Sequence, residues 1–164
     1  MLFRSGELRI CSRNIEFKIE ENENNLYVEV ANNLNLKEVL PEGYAIQGEL
    51  IGRGIQGNKM GSDCVELLVF NIKDLVANRY LNFVEMMDFC QRLNFETVPL
   101  VYAGKFVWKS VDELLKFAEE LIYPNGTPAE GMVIRTTVEK YSPTLDGRTS
   151  FKVISNKFLL KYGE

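Results

Sequence analysis

Three short stretches of this chain carry a charged side chain within a run of apolar, strand-forming residues. They are Gly48-Glu49-Leu50-Ile51-Gly52, Glu130-Gly131-Met132-Val133-Ile134-Arg135 and Ser150-Phe151-Lys152-Val153-Ile154-Ser155. A charge on such a strand must face water, pair with another charge or meet a polar ligand, because burying it alone is costly. A sheet with one wet face accounts for any one of the three. Each also has a glycine or serine beside it, which lets a ligand approach the backbone closely. Together they fit a site for a nucleoside phosphate and a divalent metal. One carboxylate would accept from ribose hydroxyls, another would hold a hydrated metal, and a lysine would neutralise phosphate charge. Phe70 closes the apolar run Leu67-Leu68-Val69-Phe70 just before Asn71. It is either a core ring or a platform for base stacking, a contact worth ~1–3 kcal/mol.

Composition narrows the chemistry. The chain has 164 residues, 46% hydrophobic and 26% charged, which suits one folded domain and not a disordered segment. Its 19 Lys and Arg against 23 Asp and Glu give a net charge of -4, which excludes a generally basic nucleic-acid coat but not a local basic groove. There is no histidine, so Ser-His-Asp triads, histidine general bases and histidine-ligated zinc are excluded. Cys11, Cys64 and Cys90 form no Cys-x-x-Cys pair and read as reduced thiols of a cytoplasmic protein. No apolar run approaches the roughly 18 residues that a membrane span needs.

The elements that would position these residues alternate between strand and helix. Glu7 to Arg13 alternates polar and apolar residues as a half-buried strand does. Residues 25–36 have helical spacing, with Leu26, Val30, Ala31 and Leu34 on one side, until Pro41-Glu42-Gly43. Strands are expected over 44–51 and 65–72, the latter buried on both faces, with an irregular glycine-rich stretch 52–61 between them. Asn82-x-x-Glu85 and Ser110-x-x-Glu113 are capping boxes that open two helices. Residues 97–102 form a short strand or crossover, and strands 131–137 and 150–154 are joined by a turn near Pro143 to Gly147. The whole reads as one α+β domain over residues 1–164.

The ordered set Ser12-Arg13-Asn14, Gln47-Gly48-Glu49-Leu50-Ile51-Gly52 with Gly54-Ile55-Gln56-Gly57-Asn58, Val69-Phe70-Asn71-Ile72, Glu130-Gly131-Met132-Val133-Ile134-Arg135 and Ser150-Phe151-Lys152-Val153-Ile154-Ser155-Asn156-Lys157-Phe158 resembles ATP-dependent RNA ligases. The nearest branch is the bacterial and phage RNA-repair type within the lysyl-nucleotidyltransferase superfamily. Each motif is weak alone; five in order over nearly the whole chain are specific. The resemblance implies a nucleotidyltransferase (ATP-grasp-like ligase adenylation) core of mostly antiparallel sheets flanked by helices, incomplete at the N-terminus. It implies ATP (AMP) and Mg2+ or Mn2+ as cofactors, and RNA 3′-hydroxyl and 5′-phosphate ends as partners, with no membrane. By the same resemblance Glu49 contacts ribose, Phe70 stacks on adenine, Glu130 lies near the metal, and Lys152 contacts the nucleotide phosphate. Arg13 serves the end of the RNA being joined. Lys157 and Asn156 belong to the last motif, where Ile154 stands at a position that is often lysine elsewhere in the superfamily, so Lys157 is the candidate for that charge.

Members of the family form lysyl-AMP on a Lys-x-Asp-Gly motif upstream of Ser-Arg-Asn. No residue before Ser12 is a lysine, and Thr144-Leu145-Asp146-Gly147 has threonine in the lysine position and falls in the wrong order, so it reads as a turn. The chain alone is therefore expected not to form the covalent adenylate. A fragment of a longer ligase, a misassigned start or a degenerate homologue would each explain this. A missing segment would leave a sheet edge exposed, through which the chain would dimerise. The competing functions are a non-catalytic nucleotide- or RNA-end-binding module, and a DNA ligase or capping-enzyme relative.

Overall fold

The computed structural model describes residues 1–19 and 25–163. Two compact units are formed. Unit 1 is Met1–Ile51 with Asp63–Val98, and unit 2 is Gly52–Ser62 with Pro99–Glu164.

Unit 1 is an antiparallel sheet with helices on one face. Its strands are β1 (Leu2–Arg4), β2 (Glu7–Cys11), β3 (Glu16–Phe17), β4 (Tyr44–Ile51), β5 (Glu66–Asp74) and β6 (Arg79–Tyr80), in the spatial order β3-β2-β1-β4-β5-β6. The helices are α1 (Leu26–Asn33), α2 (Leu36–Val39) and α3 (Phe83–Leu93). Alternation along the strands aims Leu8, Ile10, Ile46, Leu67, Val69 and Ile72 at Val28, Val30 and Ala31 of α1, Leu36 of α2, and Phe89 and Cys90 of α3. Burial pushes the Cys90 thiol up to about 11, so it remains an inert packing group. The expected strand over residues 7–13 ends at Cys11. The helix expected over 25–36 is two elements: α1 is capped by the Asn25 side chain, which accepts the Tyr27 N–H, and the chain turns through Asn35 at φ 48° before α2. Asparagine tolerates that left-handed conformation, which ends the helix well before Pro41. Residues 97–102 contribute only an isolated parallel bridge, Thr97 to Val69.

Unit 2 packs α4 (Val111–Glu120) on a two-stranded antiparallel pair, β7 (Gly131–Arg135) and β10 (Ser150–Ile154). Leu114 and Ala118 of α4 meet Met132 and Val153, the residues that the strands turn to one side. Between those strands the hairpin β8 (Tyr141–Ser142) and β9 (Gly147–Arg148) carries Asp146 at φ 44° in its turn, which confirms Thr144 to Gly147 as a turn. The strand expected over 131–137 stops at Arg135. The strand expected over 150–154 is kept, and Asn156, Lys157 and Phe158, to which no element is assigned from the sequence, begin a helix, α5 (Asn156–Tyr162), capped by Ser155, whose side chain accepts the Phe158 N–H. Among the described residues no helix is long and apolar enough to cross a membrane.

The two helix starts read from the sequence differ in detail. At α3 the Glu85 carboxylate accepts the Asn82 N–H at 2.7 Å, as a capping box requires, and also receives both Arg79 Nη atoms at 2.7 and 2.9 Å. At α4 Ser110 accepts the Glu113 N–H, but the Glu113 carboxylate takes the N–H of Lys109, one residue before the cap. The Arg79 bonds, and then the Asn82 N–H, hold Glu85 down at about 2 instead of 4.5. A carboxylate depressed in the folded state stabilises it above the unfolded pKa and loses that contribution as pH falls. Acid titration should therefore weaken unit 1 progressively from pH 4.5 to about 2, and Glu85→Gln should flatten the Glu85 part of that transition in circular dichroism melts.

A second prediction concerns β7. Gly131 has φ +148°, and a Cβ built on it would sit 1.9 Å from the Val153 carbonyl oxygen. Gly131→Ala should therefore force β7 from β10 and cost about 3 kcal/mol from strain and overpacking. Gly147→Ala, whose added atom would come no closer than 3.7 Å to any neighbour, should be nearly neutral. Denaturant unfolding followed by fluorescence of Trp108, the chain's one tryptophan, measures both.

Candidate nucleotide-binding site

In unit 1 the site residues lie on the sheet face turned away from the core. β4 and β5 pair from Tyr44↔Asp74 to Gln47↔Asn71, and then the register steps to Gly48↔Val69 and Glu49↔Leu68. Phe70 is the residue inserted at that step, so β5 carries a β-bulge there. The bulge has a direct effect on side-chain direction. Val69 and Ile72 both belong to the core, so the two residues between them, Phe70 and Asn71, fall on the other side. Glu49 stands opposite Leu68 on that side, and Gln47 opposite Asn71, whose Nδ2 donates to Gln47 Oε1 at 2.9 Å. Segment 96–98 secures the strand next to the bulge: Val69 N–H donates to Glu96 O at 2.8 Å, and Val98 N–H to Val69 O at 3.0 Å.

Gly48 lies opposite the bulge with no room for a side chain. A Cβ there would lie 2.6 Å from the Leu68 carbonyl oxygen and 2.7 Å from Leu67 Cδ1. The Gly48 of the Gln-Gly-Glu stretch is thus explained by packing of strand on strand. Phe70 is half-buried and Glu49 exposed, while Leu68 and Asn71 are each 8% exposed. The face offers an aromatic ring, an acceptor carboxylate and a fixed amide pair, the groups that a purine and a ribose use. Arg13 lies exposed in the turn between β2 and β3, which is closed by Ser12 N–H donating to Ile15 O at 2.8 Å.

In unit 2 the structure brings Glu130 and Lys152 together as an ion pair between Oε1 and Nζ. Their backbone positions would not pair them in a regular ladder. Lys152 stands opposite Val133, and Val133 and Met132 point to opposite sides. Strict alternation would put Glu130 on Met132's side, under α4. The φ of +148° at Gly131 breaks the alternation and lets Glu130 reach Lys152. Glu130 is further held by its N–H, which donates to the Tyr123 hydroxyl at 3.2 Å, and by its carbonyl, which accepts the Ser155 N–H at 2.8 Å. The pair is half-exposed, at 41% and 45% of the side chains, and such pairs contribute only ~0–1 kcal/mol. It can therefore be exchanged for a ligand at little cost: phosphate for Glu130 at the lysine, a cation for Lys152 at the carboxylate.

Lys157 is exposed in the first turn of α5. Two further side chains had no role in the sequence reading. Gln47 falls on Glu49's face by simple alternation, a signal present in Gln47-Gly48-Glu49. Lys59 has no such local signal. Its Nζ lies 4.6 Å from the Phe158 ring centroid and 4.9 Å from that of Tyr162, and its carbonyl accepts from Asn125 Nδ2 and Thr127 Oγ1, each at 3.0 Å. Among the described residues no three of His, Cys, Asp and Glu gather into a metal-holding group. A cation at Glu130 would thus rely on water and ligand phosphates for its other positions, the usual arrangement for magnesium.

Comparison with known proteins gives a family. The sequence model for RNA ligase matches residues 1–154. Among solved structures, Naegleria gruberi RNA ligase with PPi superposes with a TM-score of 0.81 at 27% identity, covering 97% of this chain and 46% of that one. A variant of that ligase with AMP and Mn gives 0.82 at 27% identity over 97% of this chain, and another with ATP and Mn gives 0.80 at 28% over 96%, each again covering 46% of the ligase. The chain therefore spans about half the length of the ligase structures it matches. A search of curated protein sequences finds no match. The fold is that of the RNA ligase nucleotidyltransferase core, antiparallel sheets with few helices, and the chain belongs to the RNA ligase family.

Proposed function

We propose that these 164 residues act as one nucleotide-handling domain of an ATP-dependent RNA ligase, which joins RNA 3′-hydroxyl and 5′-phosphate ends. The reading rests first on the shared face of β4 and β5, where Phe70 follows Leu68 by alternation onto the side that carries Glu49. Phe70 stacks on adenine and Glu49 accepts from the ribose hydroxyls. Lys152 leaves Glu130 for the α-phosphate oxygens, and Glu130, freed of its partner, turns to a hydrated Mg2+ or Mn2+ ion. That ion, when bound, offsets phosphate charge during nucleotidyl transfer. Lys157 adds positive charge for the same phosphates, and Arg13 engages the RNA 5′-phosphate end. The Naegleria ligase structures with ATP, AMP and Mn support this choice of ligands.

In the full reaction a lysine Nζ attacks the α-phosphorus, a P–N bond forms, and the P–O bond to pyrophosphate breaks. AMP then passes to the RNA 5′-phosphate, and the 3′-hydroxyl attacks that phosphate and expels AMP. With no lysine before Ser12, these residues by themselves bind the nucleotide without becoming adenylylated. We place the protein in the cytoplasm, with any self-association through the edge strands β3 or β6.

Titration with ATP and Mn2+ tests the site. Phe70→Ala should weaken binding by ~1–3 kcal/mol. Lys152→Ala should weaken ATP more than adenosine, while leaving the unfolding free energy within ~1 kcal/mol of the parent, because the pair it breaks is a surface one. The chain should stay unlabelled by α-labelled ATP. Unchanged ATP affinity in both variants would remove the site, and covalent label on the chain would remove the assigned need for an upstream lysine.

A further inference from the structure

We propose that loop 102–108 of unit 2 is a stacking platform for unpaired bases of an RNA strand, with Lys105 and Lys109 meeting the adjoining phosphates. The choice of RNA as ligand rests on the ligase reading above, but none of these residues belongs to the nucleotide site. The segment reads Tyr102-Ala103-Gly104-Lys105-Phe106-Val107-Trp108-Lys109, rings interleaved with lysines. Trp108 meets Tyr102, Phe106 and Phe117 edge to face, with centroids 5.3, 5.4 and 5.2 Å apart. Through Phe117 and Trp108 the cluster is anchored on the core under α4. At its outer end Phe106 is 57% exposed and Tyr102 45%. The loop is held in shape, since the Tyr102 hydroxyl donates to Lys105 O at 2.9 Å. A ring held in place before binding loses little freedom when a base stacks on it.

Charge selects the ligand. Neither Lys105 nor Lys109 has an ion-pair partner among the described residues. The Glu113 carboxylate, close by on α4, is engaged by the Lys109 N–H at 2.7 Å. Unit 2 holds 11 Lys and Arg against 8 Asp and Glu, and unit 1 holds 8 against 15, so the loop lies in the positive part of an acidic chain. A protein partner would suit the exposed Leu100, Val101 and Val107, but interface cores are depleted in lysine. Rings alternating with unpaired ammonium groups match a strand whose bases alternate with phosphates.

The test uses the whole chain and the fluorescence of Trp108. A short oligouridylate should quench it, and an abasic oligomer of equal length should bind much more weakly. Phe106→Ala should weaken the oligouridylate about tenfold or more, Phe106→Tyr should restore it, and ATP binding should stay at the parent value in both. Lys105→Ala with Lys109→Ala should lower the slope of log affinity against log salt by about 1.4, two single-strand phosphate contacts. Equal binding of the abasic oligomer would overturn the platform, as would ATP binding with no response of Trp108 to RNA. So would concentration-dependent self-association that Phe106→Ala abolishes, which would assign the loop to a second copy of the chain. If neither ATP nor oligouridylate binds, the platform and the ligase reading fall together.

Discussion

Backbone pairing in an antiparallel ladder fixes which way each side chain points, and a slip of one residue reverses every direction beyond it. Each unit carries one local departure from that rule beside its candidate residues. In β5 the inserted Phe70 shifts the phase, so Val69 and Ile72 both stay in the core while Phe70 and Asn71 face the side of Glu49. At the start of β7 the φ of +148° at Gly131 turns Glu130 toward Lys152. Each departure is held by its surroundings. Gly48 admits the β5 backbone opposite the bulge, and segment 96–98 bonds β5 from the other edge. Gly131 lies so close to Val153 that only glycine fits.

Stability and chemistry are carried by different groups. Fully buried side chains such as Ile10, Leu36 and Ile46 hold unit 1, and truncation of such residues costs ~2–5 kcal/mol each. Glu130 and Lys152 sit near the opposite extreme, a half-exposed pair worth at most about 1 kcal/mol. A strong, dry pair would resist a ligand, since separating buried charges is expensive. A weak one keeps both groups close together yet separable at little cost. The Arg79–Glu85 pair does another job: its bidentate geometry and the added Asn82 N–H tie the start of α3 to β6.

How much of this was legible depended on whether the signal was local. The bounds of β4, the starts of α3 and α4, and the turn at Thr144 to Gly147 each follow from a few adjacent residues, and the structure keeps them. The bulge was not legible, because Leu67, Leu68, Val69 and Phe70 are all apolar and a phase shift among them leaves no trace in the pattern. The cap at Ser155 was present as Ser-Asn-Lys-Phe, yet a strand motif running into it hid the change of period. The left-handed turn at Asn35 was hidden in the same way, because Leu34 and Leu36 both continued the apolar face. The partnership of Glu130 with Lys152 depends on one glycine dihedral, which composition cannot reveal. Lys59 reaches Phe158 and Tyr162 from a glycine-rich stretch far away in sequence, so no spacing rule could have linked them.

A net charge of -4 looks unfavourable for the proposed binding of ATP and RNA, but net charge is the wrong measure at contact distance. At 0.1 M salt the screening length is about 10 Å, so an exposed carboxylate beyond that range scarcely affects a bound phosphate. What counts is the charge beside the ligand. Positive residues outnumber acidic ones in unit 2, the part that carries Lys152, Lys157 and the lysines of loop 102–108. Unit 1 has the acidic excess, and beside Phe70 its sheet face offers a ring, an amide pair and one carboxylate, groups that suit a base and a ribose.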